Sequence, residues 1–367
     1  MKKLTLGDVC KKESYNIAQK DIMECEGEYP IYGAGGFIKN VNFYQQELPY
    51  IAVVKDGAGI GRTMLLPAYS SVIGTMQYIL PIDYESIDLQ YLYYAIVHMD
   101  LGKYFSGATI PHIYFKDYKK EKLFLPEICE QQRISLLLKQ VDLMIEKQNN
   151  QVELVDKLVQ SRFVEMFGNP VLNEKGWRTK PLLDMGNCKN GMNFHYDDCG
   201  VEINCLGVGD FKDLSVIDDT KQLPTVSLNE MPSEEYLLKD NDIVFVRSNG
   251  NKELVGRSIA VYPGNVATTF SGFCIRYRKY DDEVIIPYLL RVLKTDSIRR
   301  KMAGRGANIQ NLNQQILGTL IVPIPPLELQ NRFADFVQQV DKSKSVIQKS
   351  LDELEILKKS LMQKYFG

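Results

Sequence analysis

A polar loop in the second half of the chain concentrates arginine, lysine and asparagine side chains around two glycines. Its sequence is VRSNGNKELVGRS, residues 246–258. Arginine can bind guanine, and asparagine can bind adenine, through paired hydrogen bonds in the major groove of DNA. The loop therefore predicts contact with base edges, and its candidate residues are Arg247, Asn249, Asn251, Lys252 and Arg257.

A basic cluster follows this loop in residues 291–305, where Asp296 is the single acid. Such a cluster is typical of a surface that contacts the phosphate backbone. For any one of its residues, a solvated surface charge is the alternative explanation, but the set as a whole favours DNA contact. Its candidate residues are Arg299, Arg300, Lys301 and Arg305.

The first half of the chain has a weaker version of both features. The glycine-rich stretch DGAGIGRT, residues 56–63, offers little bulk, so that its backbone and the flanking cations can approach phosphates. In a second basic stretch at 103–122, the aromatic residues Tyr114 and Phe115 lie among the basic residues. The candidate residues of this half are Lys55, Arg62, His112 and Lys116.

The glycine-rich stretch does not match the phosphate loops of enzymes. Three residues separate Gly57 from Gly61, and Arg62 follows, whereas a Walker A loop has four residues between its glycines and then Lys-Ser/Thr. A strand-like segment comes next, whereas a dinucleotide fingerprint is followed by a helix. We therefore predict a hairpin turn. Because the carboxylates are scattered, we predict no catalytic residue and a chain that is not an enzyme.

Composition excludes several other classes of site. The seven cysteines include no CxxC pair, and the three histidines have no His or Cys at ligand spacing, so we expect reduced thiols and no metal site. No apolar run approaches eighteen residues, and we expect a cytoplasmic protein without membrane contact. A net charge of −2 gives no global basic surface, so that any DNA-binding surface must be local.

One segment occurs twice and organises the chain. Residues 126–168 recur as residues 325–367 without a gap, so that Gln131 aligns with Gln330 (330 − 131 = 199). A period this long indicates a duplicated module rather than a solenoid.

Within both copies, apolar residues alternate at spacings of four and three, which is the heptad seam of a coiled coil. The predicted seam residues are Ile134, Leu138, Val141, Ile145, Val152 and Val155 in the first copy, and Phe333, Val337, Val340, Ile347, Leu351 and Leu354 in the second. Polar residues interrupt the seams at Gln148, Arg162, Lys344 and Lys358. Such residues often fix register, and the alternative is that they face a partner subunit. We expect the two helices to pair antiparallel; two ordinary core helices are the alternative.

The remaining parts follow the same order in the two halves, including a helical pattern at 89–99 that corresponds to one at 287–303. We therefore predict an α+β fold with a pseudo-twofold internal repeat. Two similar mixed α/β domains, residues 1–125 and 169–324 with a linker at 169–175, would be separated by two long helices, residues 126–168 and 325–367, that form an antiparallel coiled coil.

This chain resembles the specificity subunits of Type I restriction-modification enzymes over essentially its whole length. The resemblance is carried by the module openings, LTLGDVC at 4–10 and WRTKPLLDMGNC at 177–188, and by three motifs that occur twice in the same order. These three motifs are Gly-Ala-x-Ile at 107–110 and 306–309, the Pro and Gln that open each long helix, and Val-Asp at 141–142 and 340–341.

The resemblance implies a non-catalytic subunit that recognises a bipartite target in double-stranded DNA. The two mixed domains would be target-recognition domains, each reading one half of the target. The long helices would be spacers that dock two methyltransferase subunits. Those subunits would hold S-adenosylmethionine, and motor-nuclease subunits, where present, would use ATP, so no cofactor is expected in this chain.

Three other functions remain open from the sequence alone. They are a stand-alone DNA methyltransferase or nuclease with a coiled-coil arm, the specificity subunit of another methyltransferase-based defence system, and a purely structural coiled-coil scaffold.

Overall fold

The computed structural model describes residues 2–107, 111–194, 199–211, 216–251, 253–302 and 311–367. The chain divides into two compact units. Unit 1 contains residues 1–151 and 347–367, and unit 2 contains residues 152–346.

Unit 1 is built on a four-stranded antiparallel sheet. Its strands are β1 (Lys2–Thr5), β2 (Cys10–Glu13), β3 (Tyr29–Gly33), β4 (Gly36–Val41), β5 (Tyr50–Val54), β6 (Thr63–Leu66), β7 (Ser71–Val72), β8 (Met76–Pro81) and β9 (Lys122–Leu125). Its helices are α1 (Leu6–Val9), α2 (Leu89–Met99), α3 (Phe115–Tyr118) and the first part of α4 (Ile128–Phe167). The main sheet has the order β2-β8-β5-β6, a smaller sheet has the order β4-β3-β7, and β1 pairs with β9.

The central strands of unit 1, β5 and β8, are buried on both faces, and Gln77 of β8 is their one polar amide side chain. Successive side chains of a strand point to opposite faces, so Ile51 and Val53 pack with Leu92 of α2, while Tyr50 and Ala52 belong to a second cluster on the other face. The sheet therefore contributes to two cores.

Unit 2 repeats this plan with additional strands. Its strands are β10 (Arg178–Pro181), β11 (Gly186–Asn190), β12 (Val201–Leu206), β13 (Val216–Ile217), β14 (Thr225–Leu228), β15 (Asp242–Val246), β16 (Ser258–Val261), β17 (Thr268–Phe270), β18 (Cys274–Lys279) and β19 (Ile321–Ile324). Its helices are α5 (Ile286–Lys294), α6 (Asp296–Met302), α7 (Gln314–Gly318), the last part of α4 and the first part of α8 (Leu327–Phe366).

The sheet topologies of the two units correspond strand by strand. The order β11-β18-β15-β16 in unit 2 repeats β2-β8-β5-β6, and the pair β10-β19 repeats β1-β9. The small sheets also agree, since β3 pairs antiparallel with β4 and parallel with β7, as β12 does with β14 and β17. The predicted mixed α/β fold with an internal repeat is confirmed.

The single helix predicted over 287–303 is wrong. The chain leaves the helix at Thr295, whose backbone is extended with φ −66° and ψ 143°, and α6 starts at the next residue. The Thr295 hydroxyl donates a hydrogen bond of 2.7 Å to the carbonyl of Val292, so the side chain holds the end of α5.

The long helices α4 and α8 pair antiparallel within each unit. In unit 1, Asp142 pairs with Lys358 at 2.6 Å and Gln148 contacts Ser350, so residue numbers rise on α4 as they fall on α8. In unit 2, Asp156 pairs with Lys344 at 2.8 Å and the Phe163 ring contacts the Phe333 ring, so the same direction holds. Polar seam residues therefore bond across the helix pair and help to fix its register.

The seam positions lie on the faces where the helices meet. Every predicted seam residue is buried or half-buried: Ile134, Leu138, Val141, Ile145, Val152 and Val155 on α4, and Phe333, Val337, Val340, Ile347, Leu351 and Leu354 on α8. Among the polar seam positions, Arg162 forms its ion pair within its own helix, with Glu165, and its guanidinium lies 5.9 Å from the centre of the Phe336 ring of α8.

A buried glutamine fixes the start of each long helix. Gln131 is 1% exposed; its Nε2 donates to the carbonyls of Pro126 at 2.8 Å and Ser86 at 3.0 Å, and its Oε1 accepts from the Asp88 N–H at 2.9 Å. The Asp88 backbone lies just before α2, where N–H groups have no partner within the helix. Gln131 therefore joins α4 to the start of α2.

Gln330 makes the same three bonds in unit 2. Its Nε2 donates to the carbonyls of Pro325 at 2.8 Å and Glu283 at 3.0 Å, and its Oε1 accepts from the Ile285 N–H at 3.0 Å. The aligned glutamines therefore join the start of a long helix to the start of a shorter helix in both units.

We expect Gln131→Leu to lower the free energy of unfolding by about 2–4 kcal/mol, because three hydrogen-bonding backbone groups lose their partner in a buried site. Urea unfolding measures the change, and Gln330→Leu is expected to behave alike. Gln132→Leu is the matched control, since the neighbouring side chain is exposed and its change is expected to stay within about 0.5 kcal/mol. Equal effects at 131 and 132 would contradict the role of the buried amide.

Candidate functional site

In unit 1, the loop between β5 and β6 forms a hairpin, as predicted. The Gly61 N–H donates to the Val54 carbonyl at 2.9 Å, and the Val54 N–H donates to the Arg62 carbonyl at 2.9 Å. The loop also contacts the segment after α2. The Gly57 N–H donates to the Pro111 carbonyl at 3.0 Å, and the Ile113 N–H donates to the Lys55 carbonyl at 2.9 Å. The structure therefore brings two separate basic stretches together.

An acid–histidine pair lies where these two stretches meet. The Nδ1 of His112 is 2.7 Å from the Oδ1 of Asp56, and the Nζ of Lys55 is 4.0 Å from the same carboxylate. The Lys116 ammonium lies 5.2 Å from the centre of the Tyr114 ring, which stacks with His112. Three candidates are thus close together.

Arg62 is turned to a neighbouring loop. Its Nη1 donates to the carbonyl of Ala34 at 2.9 Å, although the residue is exposed. Sequence reasoning missed Asp56, whose only signal was its place between a lysine and a glycine. A carboxylate there can accept a hydrogen bond from cytosine N4.

The corresponding loop of unit 2 joins β15 to β16 at residues 247–257. The Gly256 N–H donates to Val246 at 2.8 Å, which repeats the bond from Gly61 to Val54. On α6, Arg299 Nη2 donates to the carbonyl of Glu253 at 2.9 Å. The polar loop and the basic helix predicted from separate stretches are therefore one surface.

The two asparagines of this loop hold its shape. The Oδ1 of Asn249 accepts the Asn251 N–H at 2.8 Å, and the Oδ1 of Asn251 accepts the Glu253 N–H at 3.0 Å. Reading adenine through paired hydrogen bonds needs both the oxygen and the nitrogen of an asparagine amide. Since both oxygens already make turns of the loop, base reading falls first to the arginines.

The basic cluster of unit 2 divides into exposed and half-buried members. Arg300 and Lys301 are exposed on α6, whereas Arg291 and Lys294 are half-buried on α5. Burial lowers the pKa of Lys294 to about 8, with the charges of Arg291 and Lys344 adding to the effect. The exposed pair is therefore the better candidate for phosphate contact.

Arg299 connects this cluster to the loop, whereas Arg247 of the loop binds the segment between β17 and β18. The pKa of Arg299 is lowered by burial and by the nearby charge of Arg257. Arg247 Nη1 donates to the carbonyl of Gly272 at 3.3 Å. Two candidates, Lys252 and Arg305, lie outside the described residues.

Among the described residues, no group of three or more His, Cys, Asp or Glu is placed to hold a metal ion. Burial raises the pKa of the Cys10, Cys188 and Cys205 thiols to about 12, so these thiols are protonated at neutral pH. In that described part of the chain, no helix is both long and apolar enough to cross a membrane.

Comparison with known proteins gives a consistent result. The family described as Type I restriction modification DNA specificity domain matches residues 1–154 and 174–356. The MjaVIII specificity subunit of Methanocaldococcus jannaschii, a Type I restriction enzyme, is 22% identical over 85% of this chain and 77% of its own length. The StySPI specificity subunit of Salmonella potsdam is 24% identical over 71% of this chain and 60% of its own length.

Solved structures share the fold. The S subunit of a Type I restriction-modification system from M. genitalium matches 100% of this chain and 96% of its own with a TM-score of 0.60 at 18% identity. A chain from a second type I R-M system, solved to explain complex assembly and conformational transition, has a TM-score of 0.57 at 15% identity and covers 100% and 97% of the two chains.

Glycine is required at position 61, where φ is +79° and a Cβ would overlap with the backbone of Gly102. We expect Gly61→Ala to lower the free energy of unfolding by about 3 kcal/mol, the sum of backbone strain and overpacking. Gly59→Ala is the matched control, because φ is +85° but the nearest atom is 3.7 Å away. Strain alone predicts a loss of about 1 kcal/mol there. Equal losses in urea unfolding would count against the close approach.

Proposed function

We propose, on the premise that this chain belongs to the Type I restriction modification DNA specificity family, that each of its units reads one half of a bipartite DNA target. As a specificity subunit it recognises DNA and is not itself an enzyme. One observation carries the assignment of half-sites: the two units repeat one sheet order but carry different loops at the same place. None of the similarities supports the stand-alone enzyme or the scaffold.

The two loops offer different chemistry to DNA. Unit 1 places Lys55, Asp56 and His112 together, whereas unit 2 places Arg257 close to Arg299 and has Arg247 at the start of the same loop. Arginine favours guanine, while a carboxylate favours cytosine, so the two half-sites are expected to differ in sequence. Exposed cations such as Lys116, Arg300 and Lys301 then supply phosphate contacts that position the duplex.

Membership of the family implies assembly with other restriction-modification subunits and DNA. We propose that two methyltransferase subunits bind one chain, one to each copy of the repeated helix. Large apolar side chains are exposed on the helices, and Leu158, 51% exposed, aligns with Leu357, 45% exposed (357 − 158 = 199). Exposed apolar residues on a folded helix pair favour a protein partner, and the repeat supplies equivalent surfaces for two.

The chemistry of the complex is proposed to lie in the partners. The methyltransferase subunits would hold S-adenosylmethionine, and motor-nuclease subunits, where present, would use ATP. This chain would bind neither and would act in the cytoplasm, where its DNA target is found.

The function is tested by reconstitution with purified methyltransferase subunits and labelled S-adenosylmethionine. The complex is expected to methylate DNA that carries a two-part target, and neither component is expected to do so alone. Methyl transfer by this chain without a partner would overturn the proposal. Equal methylation of all duplexes by the complex would also overturn the proposal.

We expect Arg247→Ala to weaken binding and to relax base preference in one half-site only. One lost base contact corresponds to about 1–3 kcal/mol, or roughly 5- to 150-fold in affinity. Selection from a random duplex library, followed by sequencing, measures both half-sites. Arg332→Ala, an exposed arginine on α8, is the control and is expected to leave base preference intact. Equal loss of preference in both half-sites would contradict the modular assignment.

We also expect Leu158→Glu and Leu357→Glu each to reduce the number of bound methyltransferase subunits from two to one, because a charge replaces an apolar contact. The double variant is expected to bind none. Native mass spectrometry counts the subunits, while Lys157→Glu and Lys359→Glu, which change exposed neighbours, serve as controls. Two bound subunits in the double variant would exclude these leucines from the interface.

A further inference from the structure

A pocket of about 400 Å³ lies beside the five-stranded sheet of unit 2. Arg276 of β18 is part of its lining and pairs across the sheet with Val244 of β15 and Lys189 of β11. Cross-strand neighbours point to the same face, so Arg276 lies on the face that carries Val244. Three further basic residues, Lys189, Lys239 and Arg278, line the pocket with two acids, Glu234 and Glu235.

Three of the four cations already have a carboxylate partner. Lys189 pairs with Glu235 at 2.7 Å, and Lys239 pairs with Glu234 at 2.7 Å. Arg278 donates from Nε at 2.8 Å and from Nη2 at 2.7 Å to the two oxygens of Asp242. The charges of Lys189, Lys239 and Arg278 are therefore each balanced by a carboxylate.

Arg276 differs from the other three. It is 4% exposed, its Nη1 donates to the Oδ1 of Asn187 at 2.9 Å, and its Nε is buried without a hydrogen-bond partner. Within the described part of the chain, no carboxylate lies within ion-pair distance of it. Burial lowers the pKa of Arg276, and the charge of Arg278 adds to this effect. A buried guanidinium in this state disfavours the folded protein until an anion reaches it.

The fold itself does not require a charge at this position. In unit 1, Tyr78 of β8 pairs with Ala52 of β5 as Arg276 pairs with Val244. The Tyr78 ring is buried, and its hydroxyl accepts the Val72 N–H at 2.8 Å. The repeat therefore fills the same place with a neutral side chain, and the arginine is a feature of unit 2 alone.

We propose that this pocket binds a phosphate group, with Arg276 as the buried ligand and Lys189 and Lys239 at the rim. The planar guanidinium presents parallel N–H groups that match two oxygens of a phosphate. The carboxylates that hold the two lysines have side chains 54% and 81% exposed. Such exposed ion pairs are weak, so a phosphate can displace them. The proposal does not depend on which bases the loops read.

The test is the thermal stability of the full chain in inorganic phosphate against chloride at matched pH and ionic strength. Phosphate is expected to raise the Tm of the wild type in a saturable way. Arg276→Met is expected to weaken phosphate binding at least about tenfold, which corresponds to about 1.4 kcal/mol. In chloride alone this variant is expected to match or exceed the wild-type Tm, because an unneutralised buried charge has been removed. Arg332→Met is the matched control and should respond to phosphate as the wild type does.

A second variant addresses the case in which Arg276→Met does not fold. Glu235→Gln changes an exposed residue, removes the competitor of the phosphate at Lys189, and is expected to tighten phosphate binding about threefold. Phosphate that stabilises the wild type no more than chloride does would overturn the proposal. The proposal would also be overturned if phosphate stabilised Arg276→Met and Glu235→Gln as much as it stabilises the wild type.

A short DNA duplex separates the two sources of phosphate. If the pocket takes a backbone phosphate, inorganic phosphate competes with the duplex and Arg276→Met lowers duplex affinity. If it takes a free phosphate, duplex affinity is the same in the wild type and in the variant, while the loss of phosphate binding remains. Either pattern supports the site and assigns its ligand.

Discussion

The hydrogen bonds of two buried glutamines connect the parts of each unit. Gln131 binds the backbone before α2 and the backbone that leads into α4, and Gln330 does the same for α5 and α8. The backbone groups before a helix have no partner of their own, so a long side chain from another helix can satisfy them. Each amide therefore fixes where a long helix starts relative to the sheet of its unit. The loops at the ends of the central strands acquire their positions from that sheet.

Conserved and altered positions of the repeat separate what holds the fold from what meets a ligand. Tyr91 donates to the carbonyl of Phe124, and its counterpart Tyr288 donates to that of Pro323. By contrast, Tyr78 of unit 1 corresponds to a buried arginine, Arg276, in unit 2. The hairpin loop between β5 and β6 corresponds to a longer loop between β15 and β16 that contains Arg247 and Arg257. Buried hydrogen bonds to backbone resist change because a lost partner leaves a buried polar group unsatisfied. Loop residues have no such constraint, so the two units can recognise different sequences on one scaffold.

The sequence was sufficient for the features that depend on local periodicity. The heptad seams, the helix starts and the hairpin at Gly61 follow from spacing and residue type, because nearby residues decide them. The pairing of β5 with β8 and of β15 with β18 could not be predicted from the sequence, since such contacts join distant segments. The break at Thr295 could not be anticipated, because it follows from one backbone conformation inside an otherwise helical pattern.

The candidate site shows the same division between residue type and geometry. Its arginines were identifiable because few residue types can read guanine, and their grouping on one surface requires the bond from Arg299 to Glu253. Asn249 and Asn251 have the right chemistry for adenine, yet their oxygens are used within the loop. Asp56 gave almost no signal, although it lies between Lys55 and His112. Composition therefore limits which bases a loop can read, whereas the internal hydrogen bonds of the loop decide which side chains are left to read them.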